Sequence, residues 1–340
     1  MSATAERAPA APFLAGLVPR QGVLAWLGGL GRIVVGSLLC LHPLTAVLVL
    51  GWLMRLMRSE AVLAREDLAE HGRIRRRAPL PNWLFGEASP SAPLAWRVAG
   101  ALWSNLRWGL AALATIAAGT LPFTLLWLLS WWGGWENSFN KGYEQAWVGP
   151  VVGMAGVALA LMLLARMPMA LAHQAAEARM SAFFAGARVR QLIRLAGWRY
   201  VWLTALVVLA ALPLFVLKSL PVFVEEWSPG FIERNPDEVE TFARRYRFWA
   251  SVYMLLALVY LRRRFARLEA RAALRLEAGE TASGPLAFAG WALRSVVLWV
   301  LWFGLVAQIY VGQFVNHQWA SWLNPPLLGL PWLPPMGVAL

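Results

Sequence analysis

Charge is scarce in this chain: only 14% of its 340 residues are Asp, Glu, Lys or Arg. A soluble domain carries roughly 25%, and no polar stretch here is long enough to enclose a core, which argues against a string of water-soluble domains. Cysteine is nearly missing. Cys40 stands alone in an apolar run, so neither an intrachain disulfide framework nor a cysteine metal cage can form. Histidine is limited to His42, His71, His173 and His317. A bis-histidine haem would need His42 and His173 at one depth. Nucleophile, phosphate-loop and H-E-x-x-H signatures are absent. With no clustered carboxylates either, the expectation is no enzyme, no metal and no cofactor. Lysine is reduced to Lys141 and Lys218 among 31 basic residues, a bias we read as high-GC coding in a bacterium. The first 22 residues lack the basic start, apolar centre and cleavage site of a signal peptide, so nothing is expected to be removed.

What the chain has in abundance is apolar sequence: 59% hydrophobic residues and 21 tryptophans. A bilayer span needs about 20 mostly apolar residues. Runs at 108–132, 147–164, 201–224, 248–261 and 295–315 meet or approach that length. A sixth, 33–56, carries His42 and Pro43 at its centre and reads either as one kinked span or as a re-entrant pair with both ends on one side. The sequence thus predicts an all-α polytopic membrane bundle of five or six transmembrane helices with amphipathic interfacial helices. Its expected parts are an N-terminal interfacial segment (1–32), the helical domain (33–315) and a C-terminal tail (316–340).

The charge is unevenly placed. Segments 55–107, 166–199 and 262–294 hold 22 of the 31 basic residues against 9 of the 18 acids, which accounts for the whole net charge of +13. Under the positive-inside rule these segments are cytoplasmic. The expected location is a bacterial inner membrane with basic loops inside and the C-terminus outside. Anionic headgroups, not nucleic acid, are then the natural counterpart of the charge, at about 1 kcal/mol per arginine near the surface. In "RIRRRAPLPNWLFGE" (73–87), Arg75, Arg76 and Arg77 read as a topology lock. Pro79 and Pro81 stiffen the chain that follows, and Trp83 is expected to plug into the interface.

Smaller patterns assign further roles. Gly149, Gly153, Gly156 and Ala160 form a small-residue stripe that lets helices approach closely, either internally or in a homodimer. Residues 173–197 and 262–280 read as amphipathic helices lying on the inner face. Met180, Phe183, Phe184 and Ala187 back the first, and Phe265, Leu268, Ala272 and Leu276 the second. Their arginines, Arg188, Arg190 and Arg194 in the first and Arg262, Arg263 and Arg264 in the second, are candidate contacts for lipid or partner. His42, Lys218 and Gln308 are the polar candidates within apolar runs. "NPDEVETFARRY" reads as a helix whose first turn is acidic. The tail 316–340 has no Lys, Arg, Asp or Glu, five prolines and three tryptophans (Trp319, Trp322, Trp332). It is expected along the bilayer surface or in a groove of another subunit.

Three stretches also carry a likeness. "GRIVVGSLLCLHPLTAVLVLGWLMRLMRS", "LPNW" followed by "GTLPFTLL", and "RMPMALAHQAAEARMSAFFAGARVRQLIRLAGWRYVWL" together resemble a loosely defined group of prokaryotic multi-pass membrane proteins of unknown function. That group has a glycine-rich first hairpin ending in G-Y/W-x-x-R-x-x-R, an LP-x-W turn, and a basic helix after a proline-ended span. The resemblance covers roughly residues 30–205, departs from the pattern in its extra arginines, and implies architecture but no activity.

Two functions follow as expectations. One is a non-catalytic membrane scaffold, assembly or accessory subunit, working with other membrane subunits or as a homo-oligomer. The other is a permease for a small solute or lipid that is not proton-driven, since His42 and Lys218 alone make no relay.

Overall fold

The computed structural model describes residues 23–83, 93–135, 148–227, 236–280, 285–316 and 327–333. They form an all-α protein with no strand among the described residues. The nine α-helices are α1 (Val23–Leu39), α2 (Pro43–His71), α3 (Leu94–Trp135), α4 (Val148–Leu164), α5 (Met167–Glu177), α6 (Gly186–Ala196), α7 (Trp198–Trp227), α8 (Pro236–Glu277) and α9 (Pro285–Asn316). Side chains beyond Leu214 in α7 and beyond Gly304 in α9 lie outside the described residues.

The apolar run 33–56 breaks where its proline sits. Pro43 occupies the first turn of α2, and His42 before it is extended at φ −125° and ψ 136°, as a residue preceding proline prefers. The break turns the chain back on itself. Trp83 donates through Nε1 to the Arg32 carbonyl on α1 at 2.8 Å and stacks on Trp52 of α2, centroids 4.8 Å apart. In one continuous rod Arg32 and Trp52 would lie about 30 Å apart. Of the two readings of this run, the folded-back pair is the one observed.

α2 closes on Gly72, which is left-handed at φ 66° with its N–H on the Leu68 carbonyl. The following residues, 73–83, are extended and return along α2. Their contacts step from Asp67 through Glu60 to Trp52 as the chain passes Arg76, Ala78 and Pro81. α8 runs parallel to α2, with Arg247 near Leu41, Arg262 near Met57 and Arg267 near Glu60. α7 runs antiparallel to α8 and accepts from it: the Tyr253 hydroxyl donates to the Ala210 carbonyl at 2.9 Å. α3 crosses α2 with the backbones touching. A Cβ at Gly51 would lie 1.8 Å from the Asn105 carbonyl oxygen, and one at Gly109 would lie 2.0 Å from that of Val47. Only glycine allows this approach.

By length and composition, one described helix, Leu94–Ser130 within α3, can cross a bilayer. The number rises to three if each bent pair counts once: Val148–Leu164 with Met167–Glu177 (44°), and Gly186–Ala196 with Trp198–Leu214 (98°). The expected five or six spans are thereby reduced to one to three among the described residues. The reasons are local. The first run is split at His42, the apolar part of α8 is short between Arg247 and Arg262, and parts of α7 and α9 fall outside the description.

Other expectations also change. Residues 173–197 are not one helix: Ala178 is left-handed at φ 55°, and a 3₁₀ turn at Met180–Ala182 separates α5 from α6. Residues 262–277 are the last part of α8, with Phe265, Leu268 and Ala272 buried inside the protein and not laid on a surface. The acidic turn expected near Pro236 begins that same helix, at Asp237 and Glu238. The small-residue stripe is buried against α3, where Ser130 donates to the Gly149 carbonyl at 2.6 Å and a Cβ at Gly156 would meet Trp127 at 2.5 Å.

Candidate functional site: a buried ionic network

On α2, the positions Leu53, Met57, Glu60, Ala64 and Asp67 follow one helical face, and all five are buried. Two acids therefore occupy places that the apolar pattern reserves for the core. Glu269 of α8 is equally buried. An ionised carboxylate away from water needs compensating partners, and each of the three has them.

Glu60 accepts from Arg267 and, at 3.1 Å, from the Ala78 backbone N–H, and forms an ion pair with Arg263 at 3.7 Å. Asp67 accepts from the backbone N–H groups of Arg75 and Arg76 at 2.7 and 2.6 Å and from Arg76 Nε at 2.6 Å. Burial pushes the Asp67 carboxyl up, but the hydrogen bonds from Arg76 and Arg75 outweigh it and hold the group down at about 2. The same contact raises Arg76. Glu269 accepts both contacts from Arg65 Nη2, at 3.1 and 3.2 Å, and lies 3.0 Å from His173 Nδ1. With its proton on Nδ1, His173 donates to that carboxylate. Gln174, next along α5, accepts from Thr115 of α3 at 2.9 Å. Five elements are thus tied together: α2, the 73–83 strap, α3, α5 and α8.

A second set of contacts holds the tail. Arg262, 2% exposed, donates to the Leu328 carbonyl at 2.9 Å. Arg247 donates to the carbonyls of Leu333, at 3.1 Å, and Leu41, and Leu333 N–H donates to the Cys40 carbonyl at 3.2 Å. Residues 327–333 therefore dock on their own chain, at the α1–α2 corner and along α8. For these residues the expectation of a surface-lying or partner-bound tail is corrected, and the half-buried Trp332 belongs to that intramolecular contact.

The sequence candidates separate accordingly. Trp83 does not reach an interface: it is 5% exposed, between α1 and α2. Arg262 is buried, and Arg263 faces Glu60. Arg76 is tied to Asp67, while Arg75 and Arg77 are exposed. Arg190 is exposed, Arg188 is half-buried, and Arg194 lies over the Trp291 ring at 4.9 Å. Arg264 is exposed over Tyr260 at 5.1 Å. His42 is not central in a span; it is an exposed cap whose Nδ1 accepts from Leu44 N–H at 3.3 Å. The side chains of Lys218 and Gln308, and the residues Trp319 and Trp322, lie outside the described residues.

Sequence reasoning missed Glu60, Asp67, Glu269, Arg65 and Arg267, and it weighed His173 only as a haem ligand. The available signal was an acid standing in the apolar register of α2, twice, two turns apart. Among the described residues no three of His, Cys, Asp and Glu converge as metal ligands. No family model matches the chain, and it matches neither a curated protein nor a solved structure.

Proposed function

We propose that the protein is a non-catalytic, multi-pass membrane scaffold or assembly subunit, a helical bundle of the bacterial inner membrane whose basic segments face the cytoplasm. The carrying observation is that every buried carboxylate described is already engaged by arginine, histidine or backbone N–H. None stands ready as a free base or proton carrier. Such a network fixes elements relative to one another, which is what a platform for other subunits requires. Exposed apolar side chains support the bilayer setting: Trp103 is 65% exposed, Trp249 67% and Val300 67%. Partners are then other membrane subunits, with anionic lipid at the basic face.

The permease reading draws on the broken helices, because carriers coordinate solutes with the freed carbonyls of such breaks. Here those carbonyls are taken. Ala165 O accepts from the Tyr200 hydroxyl at 2.8 Å, Cys40 O from Leu333 N–H, and Leu41 O from Arg247. This favours the scaffold.

The test is native mass spectrometry of the full chain, gently extracted from its own membrane. The expected result is a stoichiometric complex with a second protein. A lone chain that moves a solute across proteoliposome membranes would overturn the scaffold, and a chain recovered without membrane would overturn the setting.

A further inference from the structure

The ionic network leaves part of the arginine stripe of α8 unused. Arg264, Arg267 and Arg271 follow at three- and four-residue intervals on one face of the helix. Arg267 turns inward to Glu60, whereas Arg264 and Arg271 face α7. Arg199, in the first turn of α7, comes against them from the other side. Among the described residues neither Arg199 nor Arg271 has a carboxylate within ion-pair distance. Arg271 is held below its usual value by burial and then by Arg199, Arg267 and Arg264. The nearby acids are already taken: Glu60 by Arg267, and Glu280, which lines the neighbouring hollow, by Arg275.

They line an open groove of about 670 Å³ between α7 and α8. A neighbouring hollow of about 750 Å³ shares Trp198, Arg199, Leu268 and Arg271 with it, so Arg199 and Arg271 stand at the junction. Because α7 and α8 are antiparallel, the groove has a polarity. Its Arg199–Arg271 end is cationic. About one to two turns further along α7 and three back along α8 it is walled by Trp202, Leu206 and Tyr260. Trp202 is 65% exposed and Tyr260 48%. One end suits a phosphate, the other a hydrocarbon chain beside aromatic rings.

We propose that this groove is a binding site for an anionic phospholipid. The head phosphate sits between Arg199 and Arg271, and an acyl chain lies along Trp202, Leu206 and Tyr260. The arginine fork pairs with phosphate oxygens in two parallel hydrogen bonds, and the missing counter-charge is supplied by the ligand. The lipid need not be a passive annulus: the groove joins α7 to α8, so its occupant holds the two together. This inference rests on the membrane reading above.

The experiment uses the full chain reconstituted into nanodiscs of phosphatidylcholine, titrated with phosphatidylglycerol, with protein-bound lipid counted by native mass spectrometry. Phosphatidylglycerol is expected to be retained at least tenfold more tightly than phosphatidylcholine. R199A/R271A should remove that preference, whereas R73A/R107A, which takes away the same charge at two exposed arginines elsewhere, should keep it. Neither Arg199 nor Arg271 ties the fold together, so helical content by circular dichroism should be unchanged. If the double alanine variant does unfold, R199K/R271K reports instead: it keeps the charge, loses the fork, and should bind several-fold more weakly. Equal retention of both lipids, or equal loss in the R73A/R107A control, would overturn the site. Competition by millimolar inorganic phosphate as effective as by phosphatidylglycerol would assign the groove to a soluble phosphate and overturn the lipid. Failure of the protein to enter the discs would overturn the membrane reading and this inference with it. Insertion without lipid preference would sink this inference alone.

Discussion

Between α2 and α8 the contacts are ionic: Glu60 with Arg263 and Arg267, and Arg65 with Glu269, in a setting where the acids are fully buried. Between α3 and α4 they are steric: Gly149, Gly153, Gly156 and Ala160 bring the backbones close, and the polar help is one serine hydroxyl on a carbonyl. The two pairs meet where Gly51 and Gly109 cross. The difference lies in how each fails. Close packing loses strength gradually as atoms are added or removed. A buried ion pair fails abruptly, because the partner left behind is a charge out of water.

Three changes would break or sharpen that contrast, measured as unfolding of the full chain in mild detergent followed by circular dichroism. The largest effect is expected from Glu269→Ala, which strands Arg65 and His173 and should cost roughly 3–5 kcal/mol. A loss below 1 kcal/mol would mean the network is ornamental. Next, Gly51→Ala places a methyl against backbone that cannot yield and should cost about 1–3 kcal/mol. Gly156→Ala meets side-chain atoms of Trp127 and Leu126 and no backbone, and should cost less. The reverse order would contradict the crossing described here.

The last effect is one of pH. Asp67 is depressed in the folded protein, to about 2, against about 3.9 when unfolded. Its contribution is therefore complete above the unfolded value and is lost as pH falls from about 4 towards 2. Asp67→Asn should flatten the stability profile in that window and leave its slope near neutrality unchanged. An identical acid limb in the variant would remove Asp67 as the cause.

The helical class was legible in the apolar runs, and so was the break at Pro43, because a proline acts on its neighbour without help from the rest of the fold. The stripe at Gly149–Ala160 was legible as a packing face, though not which helix it faced. The network was not. Glu60 and Asp67 look like ordinary surface acids in a basic stretch until the 73–83 strap folds back and α8 closes over them, and those contacts join residues such as Arg65 and Glu269 from distant parts of the sequence. The same is true of Trp83. An aromatic beside arginines has the composition of a membrane-interface anchor, and only the hairpin of α1 and α2 shows that it is core. Counting arginines by segment also treated them as interchangeable. In the structure Arg262 grips a carbonyl in the interior, Arg267 neutralises an acid, and Arg271 faces an open groove.

The docking of residues 327–333 on the α1–α2 corner has a consequence in time. Leu333 bonds to Cys40, so during synthesis the corner after α1 waits for residues that emerge only after α2 to α9. At about 5–20 residues per second, the cleft beside α1 stands open for on the order of tens of seconds. During that interval Arg247 and Arg262 emerge with no carbonyl of 327–333 to hold.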